Sequence, residues 1–215
     1  MAAALADVEF VVRVVAETAV ANEKYFGDLD SVVGDGDFGY SLARGFEIVL
    51  RDWDSYDRSD AATFLQKVAM AITSRIGGTS GPIWGTAFLR AAGAARGHDT
   101  LDAATVVAML DAAVAGIQAR GSAELGDKTL LDALVPMRDT IEEHGGEPAD
   151  AVVAAAAATA RSSADATTAL QARRGRASYT GERSIGSPDA GAVAVAVIAE
   201  QVAARWAERG RPPAG

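Results

Sequence analysis

The chain reads as all-α. Alanine-rich runs with apolar residues at three- and four-residue spacing dominate, as at Val8, Val11, Val12, Val15 and Ala19, and runs alternating at period two are scarce. Polar, glycine-bearing segments separate these runs at inter-helix positions. The pattern predicts eight helices, at 7–23, 40–52, 61–75, 81–95, 103–119, 129–144, 149–172 and 190–209. The first carries the valine stripe, and the second follows an acidic segment. Ser59 or Asp60 caps the third, because a short oxygen-bearing side chain satisfies the orphan amides of a first turn. Pro82 suits the entry of the fourth. Thr100 or Asp102 caps the fifth, and Asp127 or Thr129 the sixth, which Gly145-Gly146 and Pro148 terminate. The alanine-rich seventh has a narrow apolar face suited to close packing on a neighbour. The eighth ends before Arg-Pro-Pro-Ala-Gly, a tail expected to fray over 211–215. No Pro/Ser-rich linker interrupts the chain, so 1–210 is expected to form one domain.

Composition sets the outer limits. A chain of 215 residues buries about 70% of its unfolded surface without a staple. It has no cysteine, which excludes disulfides, thiolate catalysis and Cys-ligated zinc. The start lacks the basic region and long apolar run of a secretory signal, and no later stretch is expected to reach membrane-spanning length. A cytoplasmic protein without a membrane partner is the expectation. A net charge of -9 argues against a nucleic-acid face and requires a cation to accompany any bound phosphate.

The segment Asp30-Ser-Val-Val-Gly-Asp35-Gly-Asp37-Phe-Gly39 puts three carboxylates and three glycines into ten residues. Carboxylates brought within about 5 Å repel by roughly 3 to 4 kcal/mol at an effective dielectric near 20. A divalent ion would offset that, and an oxygen-only donor set favours Mg²⁺ over Ca²⁺ or Mn²⁺. A solvated acidic turn is the plainer alternative. In Ile76-Gly-Gly-Thr-Ser-Gly-Pro82, the glycines allow close backbone approach and Thr79 and Ser80 offer hydroxyls at a helix start, where amides attract anions. The same glycines also suit a plain helix terminator. It is not a Walker A loop, for it lacks the lysine and the preceding strand. Gly121-Ser-Ala-Glu-Leu-Gly126-Asp-Lys-Thr129 follows. Last is the long loop from Gly175 to Gly191, where Arg176 and Arg183 suit phosphate or purine contact or lie at the surface. Tyr179 and Ile185 are its order-promoting residues. Trp53, Trp84 and Trp206 lie on apolar helical patterns and read as packing residues. His98 and His144 lie outside every motif and read as solvated.

Together these motifs resemble the family of the nucleotide-binding L subunit of dihydroxyacetone kinases (DhaL-like). The resemblance rests on Gly34-Asp-Gly-Asp-Phe-Gly39 with Arg44-Gly-Phe46, and on Gly77-Gly-Thr-Ser-Gly-Pro82 with Gly85-Thr86. It rests also on Gly126-Asp-Lys-Thr129 with Leu131-Asp-Ala-Leu134, and on Gly175-Arg-Ala-Ser-Tyr179 with Gly181-Glu-Arg-Ser-Ile-Gly186. It implies an eight-helix antiparallel barrel with ADP or ATP held at one end by inter-helix loops. Asp30, Asp35 and Asp37 would hold two Mg²⁺ ions. Phe38, Gly39, Tyr40 and Ser41 would line the site, and Gly78, Thr79 and Ser80 would meet phosphate. Gly121, Leu130, Arg176, Asp189, Ala190 and Gly191 would frame base and ribose. No catalytic side chain is expected on this chain. The resemblance implies a ketose, dihydroxyacetone or a related tetrulose, held on a separate DhaK-like K subunit. In one branch a phosphotransferase-system protein (DhaM-like) rephosphorylates bound ADP.

Four positions depart from the family pattern. Phe38 stands where histidine is usual, and can neither hydrogen-bond a phosphate nor titrate. Leu125 and Ala190 replace prolines and Ser187 a histidine, which implies looser base-side loops. The alternative the Phe38 departure raises is a nucleotide-binding regulatory module without phosphotransfer activity.

Overall fold

The computed structural model describes residues 2–78 and 80–209. The regular elements among the described residues are all helical, with no strand among them. The α-helices are α1 (Ala2–Ala21), α2 (Glu23–Ser31), α3 (Phe38–Arg51), α4 (Ala61–Arg75), α5 (Ser80–Ala95), α6 (Ala103–Gly121), α7 (Leu131–Glu143), α8 (Ala149–Ala166) and α9 (Ala190–Arg209). The tail expected to fray at 211–215 lies outside the described residues.

Helices α3, α4 and α6 are built as their sequences prescribe. Asp60 caps α4 by accepting from the Thr63 amide at 2.7 Å, and Asp102 caps α6 by accepting from Thr105 at 2.8 Å. Along α3 the buried residues Leu42, Phe46 and Val49 recur at helical spacing, as do Phe64, Leu65, Val68 and Ile72 along α4. Phe26, Phe46 and Phe64 are fully buried, each contributing about 2 to 3 kcal/mol of apolar burial. Trp53 and Trp84 are buried and Trp206 packs edge-on against Phe10, so the tryptophans pack as expected. His98 is exposed beside Thr105, while His144 is half-buried and pairs with Glu147, which raises its pKa.

Four differences from the expected helices have physical causes. Residues 23–31, expected as helix end and loop, form a separate helix α2, because the chain breaks at Asn22 (φ -107°, ψ 18°) and resumes with Phe26 as its buried anchor. Helix α8 stops at Ala166 and continues as a 3₁₀ turn, Thr167–Ala169. The loop expected after Gly175 is largely 3₁₀, Arg176–Ser184, interrupted at Gly181 (φ 59°, ψ -131°). Its order does not come from Tyr179 or Ile185, which are 89% and 49% exposed. Finally, α6 and α9 are long and apolar enough to cross a membrane by length and composition, each with a mean hydropathy of 1.3. This corrects the expectation that no stretch reaches that length. The value arises from alanine and valine, and in this fold Val107, Ala113 and Ile117 of α6 and Val193, Val195 and Ile198 of α9 are buried against neighbouring helices.

Sequential neighbours pack from α3 through α9, α1 packs on α3, and α9 returns to α1. Short connections make such neighbours antiparallel. The segments 22–37, 122–130 and 167–189 meet through Arg176 on Asp35 and Lys128 on Leu170 and Ser187, and the turn at Gly77 lies beside Ser41 at the start of α3. These are the segments that carry the sequence motifs.

Candidate functional site

Asp30 sits one residue from the end of α2, and Asp37 immediately precedes α3. Between them the chain folds back over Asp30, whose carbonyl accepts from the amide of Gly34 at 2.6 Å. Gly34 is required here, because a Cβ would lie 2.3 Å from the Asp30 carboxylate oxygen. Gly36, at φ 77°, completes the reversal. The result gathers ligand oxygens of Asp30, Asp35 and Asp37 within 4.8 Å of one another, with Asp30 half-buried and the other two exposed. At that separation each pair repels by about 3 kcal/mol at an effective dielectric near 20.

Arg176 lies against this cluster. Its guanidinium pairs with Asp35 and stands 3.7 Å from Asp37. Expected among the base-framing residues, it instead has its charged end at the carboxylates. The Phe38 amide faces Asp30 Oδ2 at 3.4 Å, while the Phe38 ring turns the other way and packs on Phe26 with centroids 6.2 Å apart. Gly39 is buried against the α2 backbone, where a Cβ would be 2.0 Å from the Glu23 carbonyl oxygen, and so serves helix packing. Tyr40 is 59% exposed with the Arg44 guanidinium over its ring.

The second connection adjoins the first. A Cβ on Gly77 would stand 3.9 Å from Ser41 Oγ, and Gly78 takes φ 63° in open space. Ser80 opens α5, whose first turn is tucked under Ile76: a Cβ on Gly81 would be 2.2 Å from the Ile76 carbonyl oxygen. Thr79 lies outside the described residues. Gly121 ends α6 beside Ile83 of α5, at 3.1 Å from a built Cβ.

The third and fourth connections are tied to each other. Asp132 accepts from the amides of Gly126 (2.5 Å) and Thr129 (2.7 Å). Thr129 Oγ1 accepts from Leu131 at 3.2 Å, whereas Asp127 turns away to accept from Glu124 (3.0 Å) and Arg174 (2.9 Å), and these bonds, the backbone one foremost, hold its pKa down. Lys128 is 2% exposed and donates to the carbonyls of Leu170 (3.0 Å), Ser187 (2.7 Å) and Ser184. Its backbone is left-handed, φ 63°, at about 1 kcal/mol for a residue with a Cβ. Gly191 lies against Leu130, 3.4 Å from a built Cβ, and Asp189 caps α9 by accepting from Ala192 at 2.7 Å. Burial pushes the Asp189 carboxyl up to about 7, with Asp132 adding to the rise and the Ala192 amide and Lys128 opposing it.

The sequence-predicted residues thus fall into adjoining groups: Asp30, Asp35, Asp37, Phe38 and Arg176; Ser41 with the 76–80 turn; Gly121 beside Ile83; and Leu130 with Asp189, Ala190 and Gly191. Sequence reasoning missed Lys128 and Asp132 as buried organisers. The signal available was the charge density of Gly126-Asp-Lys-Thr129, where a buried lysine needs acceptors.

Such a molecule is an all-helical protein with an acidic cluster and helix starts converging at one end, a class suited to holding a cation with an anion. A family model described as the DAK2 domain matches residues 32–204, and the chain belongs to this DAK2 domain family. The ADP-binding subunit DhaL of the PEP-dependent dihydroxyacetone kinase of Escherichia coli (strain K12) is 37% identical over 182 residues, 84% of this chain and 87% of that subunit. The L-erythrulose 1-kinase of Mycolicibacterium smegmatis is 38% identical over 181 residues, 82% of this chain but 31% of that enzyme. Among solved structures, the dihydroxyacetone kinase from C. freundii in complex with AMP-PNP and Mg²⁺ superposes with a TM-score of 0.75 at 25% identity, over 92% of this chain and 33% of that one. The chain therefore spans about a third of these two longer kinases and most of the DhaL subunit.

Proposed function

We propose that this chain is the Mg²⁺- and ADP- or ATP-binding subunit of a dihydroxyacetone-type kinase, a single domain over 1–210 that works in the cytoplasm with a separate DhaK-like subunit holding the ketose. The observation that carries the reading is the gathering of Asp30, Asp35 and Asp37 within 4.8 Å, with Arg176 against them. Three convergent carboxylates without histidine fit a hard divalent ion, and two ions are proposed. When bound, the metal neutralises phosphate charge and polarises the transferring group.

The chain's own residues bind and orient. Phe38 to Ser41, Gly78 and Ser80 present backbone and hydroxyls at the starts of α3 and α5, where the dipoles favour phosphate, and Thr79 is assigned to the same group by its place in the sequence. Gly121, Leu130 and the Asp189–Gly191 turn frame the base and ribose. Arg176, which lies against Asp35 and Asp37, would be within reach of a phosphate held by an ion on these carboxylates. Phosphoryl transfer of this kind needs positioning and charge neutralisation, so no nucleophile is assigned here. The acceptor is dihydroxyacetone or a related tetrulose, and the donor is ATP, or a phosphotransferase-system DhaM-like protein acting on bound ADP.

Thermal unfolding with and without Mg-ADP tests this. Metal-dependent stabilisation of about 2 to 4 kcal/mol is expected at ligand concentrations of about 100 to 1,000 times Kd. No metal-dependent shift at millimolar ligand overturns it. A second reading, a nucleotide-binding regulatory module without phosphotransfer, is favoured by the Phe38 ring, which faces Phe26 and leaves no titratable group there. Phe38→His in an assay reconstituted with a K-type subunit separates the two: activity appearing from none supports the module, and a small change supports the kinase.

A further inference from the structure

Lys128 presents a conjunction that helix packing does not require. Its backbone is left-handed, a conformation that lysine adopts only when its surroundings impose it. The neighbours do so: the Asp127 amide donates to Glu124 O at 3.1 Å and the Thr129 amide to Asp132 at 2.7 Å. The side chain is thereby sent into the fourth connection, where it meets carbonyls 42, 56 and 59 residues away in the chain. An ammonium group has three donors, and Leu170, Ser184 and Ser187 accept all three. Nothing remains to offer a nucleotide, so Lys128 cannot be a ligand contact itself.

What it holds is the segment that carries Arg176. Ser184, fully buried, accepts from the Ala172 amide at 2.9 Å and donates to Gly181 O at 2.6 Å, and the Gly186 amide donates to Thr168 O at 2.9 Å. Arg176 projects from this segment onto Asp35 and Asp37. Asp127 adds a flanking tie through Arg174 and the Arg173 amide, the latter at 3.0 Å. We propose that Lys128 is a positioning residue of the nucleotide site: its buried ammonium pins residues 170–187 and so sets Arg176 over the acidic cluster. The proposal rests on the nucleotide-binding reading for its effect on affinity, but not for its effect on the segment.

The test uses Lys128→Met, which keeps length and removes the charge and donors. Hydrogen exchange is read at the amides of Ala172, Ile185 and Gly186, and Mg-ADP affinity is read by calorimetry for Lys128→Met, Arg176→Gln and the double variant. Exchange in 170–187 rises about tenfold or more while α4 and α5 are unchanged, Mg-ADP binding weakens about tenfold, and the double variant binds within about twofold of Arg176→Gln alone. Unchanged exchange in 170–187 overturns the proposal, as do losses that multiply in the double variant. If Lys128→Met does not fold, Lys128→Gly, which tolerates the left-handed backbone, is measured the same way against the same outcomes. If the parent chain binds no Mg-ADP, the functional reading fails, and exchange alone decides the role of Lys128.

Discussion

The Asp30 carboxylate lies directly over Gly34, so geometry at one glycine decides whether three acidic groups can meet. Gly34→Ala forces the carboxylate aside and is expected to weaken Mg-ADP binding more than it destabilises the fold, read as a calorimetric loss of about tenfold or more against a destabilisation of roughly 1 to 3 kcal/mol. Asp37→Ala removes an exposed carboxylate from the cluster and is expected to abolish metal-dependent nucleotide binding with unchanged helical circular dichroism. Equal Mg-ADP affinity in variant and parent would remove Asp37 from the site. The gathering of the three aspartates was legible in the sequence because they lie within eight residues of one another around two glycines. Lys128 was not, since its acceptors are backbone carbonyls from 42 to 59 residues away, and carbonyls leave no trace in composition. The seat of Arg176 on Asp35 and Asp37 was not legible, because loop geometry decides where a long side chain ends.

Among the elements, the helix starts at Asp60 and Asp102 follow from one rule of capping, and the structure uses it at both. Asp60→Ala is expected to cost about 1 kcal/mol, lowering Tm by about 2 to 4 °C for a chain of this size, while leaving Mg-ADP affinity unchanged. The separation follows from α4 itself: Asp60 caps its first turn, and its last turn leads to Gly77, roughly 22 Å away at 1.5 Å per residue. A matching loss of affinity would show that the two ends are coupled. Helix α2 escaped the periodic reading because nine residues with one buried aromatic are too short to display a stripe. The 3₁₀ turns of the fourth connection escaped it too. They are fixed by Ser184 and Lys128 from within, while Tyr179 and Ile185, which look like anchors in sequence, face outward.

For the whole molecule, the packing that brings the motif-bearing segments together also places Asp189 at the start of α9 where its carboxyl is desolvated, and this gives stability a pH dependence. Burial pushes its carboxyl from an ordinary 3.8 up to about 7, with the Asp132 charge raising it and Lys128 and the Ala192 amide lowering it. A raised carboxyl pKa means that the folded chain binds a proton that the unfolded chain has released, so between about pH 4 and pH 7 stability falls as pH rises. Below pH 4 both states hold the proton and the contribution is complete; above pH 7 both are ionised and it is gone. Asp189→Asn keeps an oxygen to accept from Ala192 and removes the titration. Urea unfolding of both proteins from pH 4.5 to 7.5 isolates the group, because every other carboxylate is common to the pair. The difference, parent minus variant, is expected to decline steadily across that window. A difference that is flat or rises with pH would mean that Asp189 is ionised in the folded chain, and that Lys128 and the helix start outweigh burial at this end of the bundle.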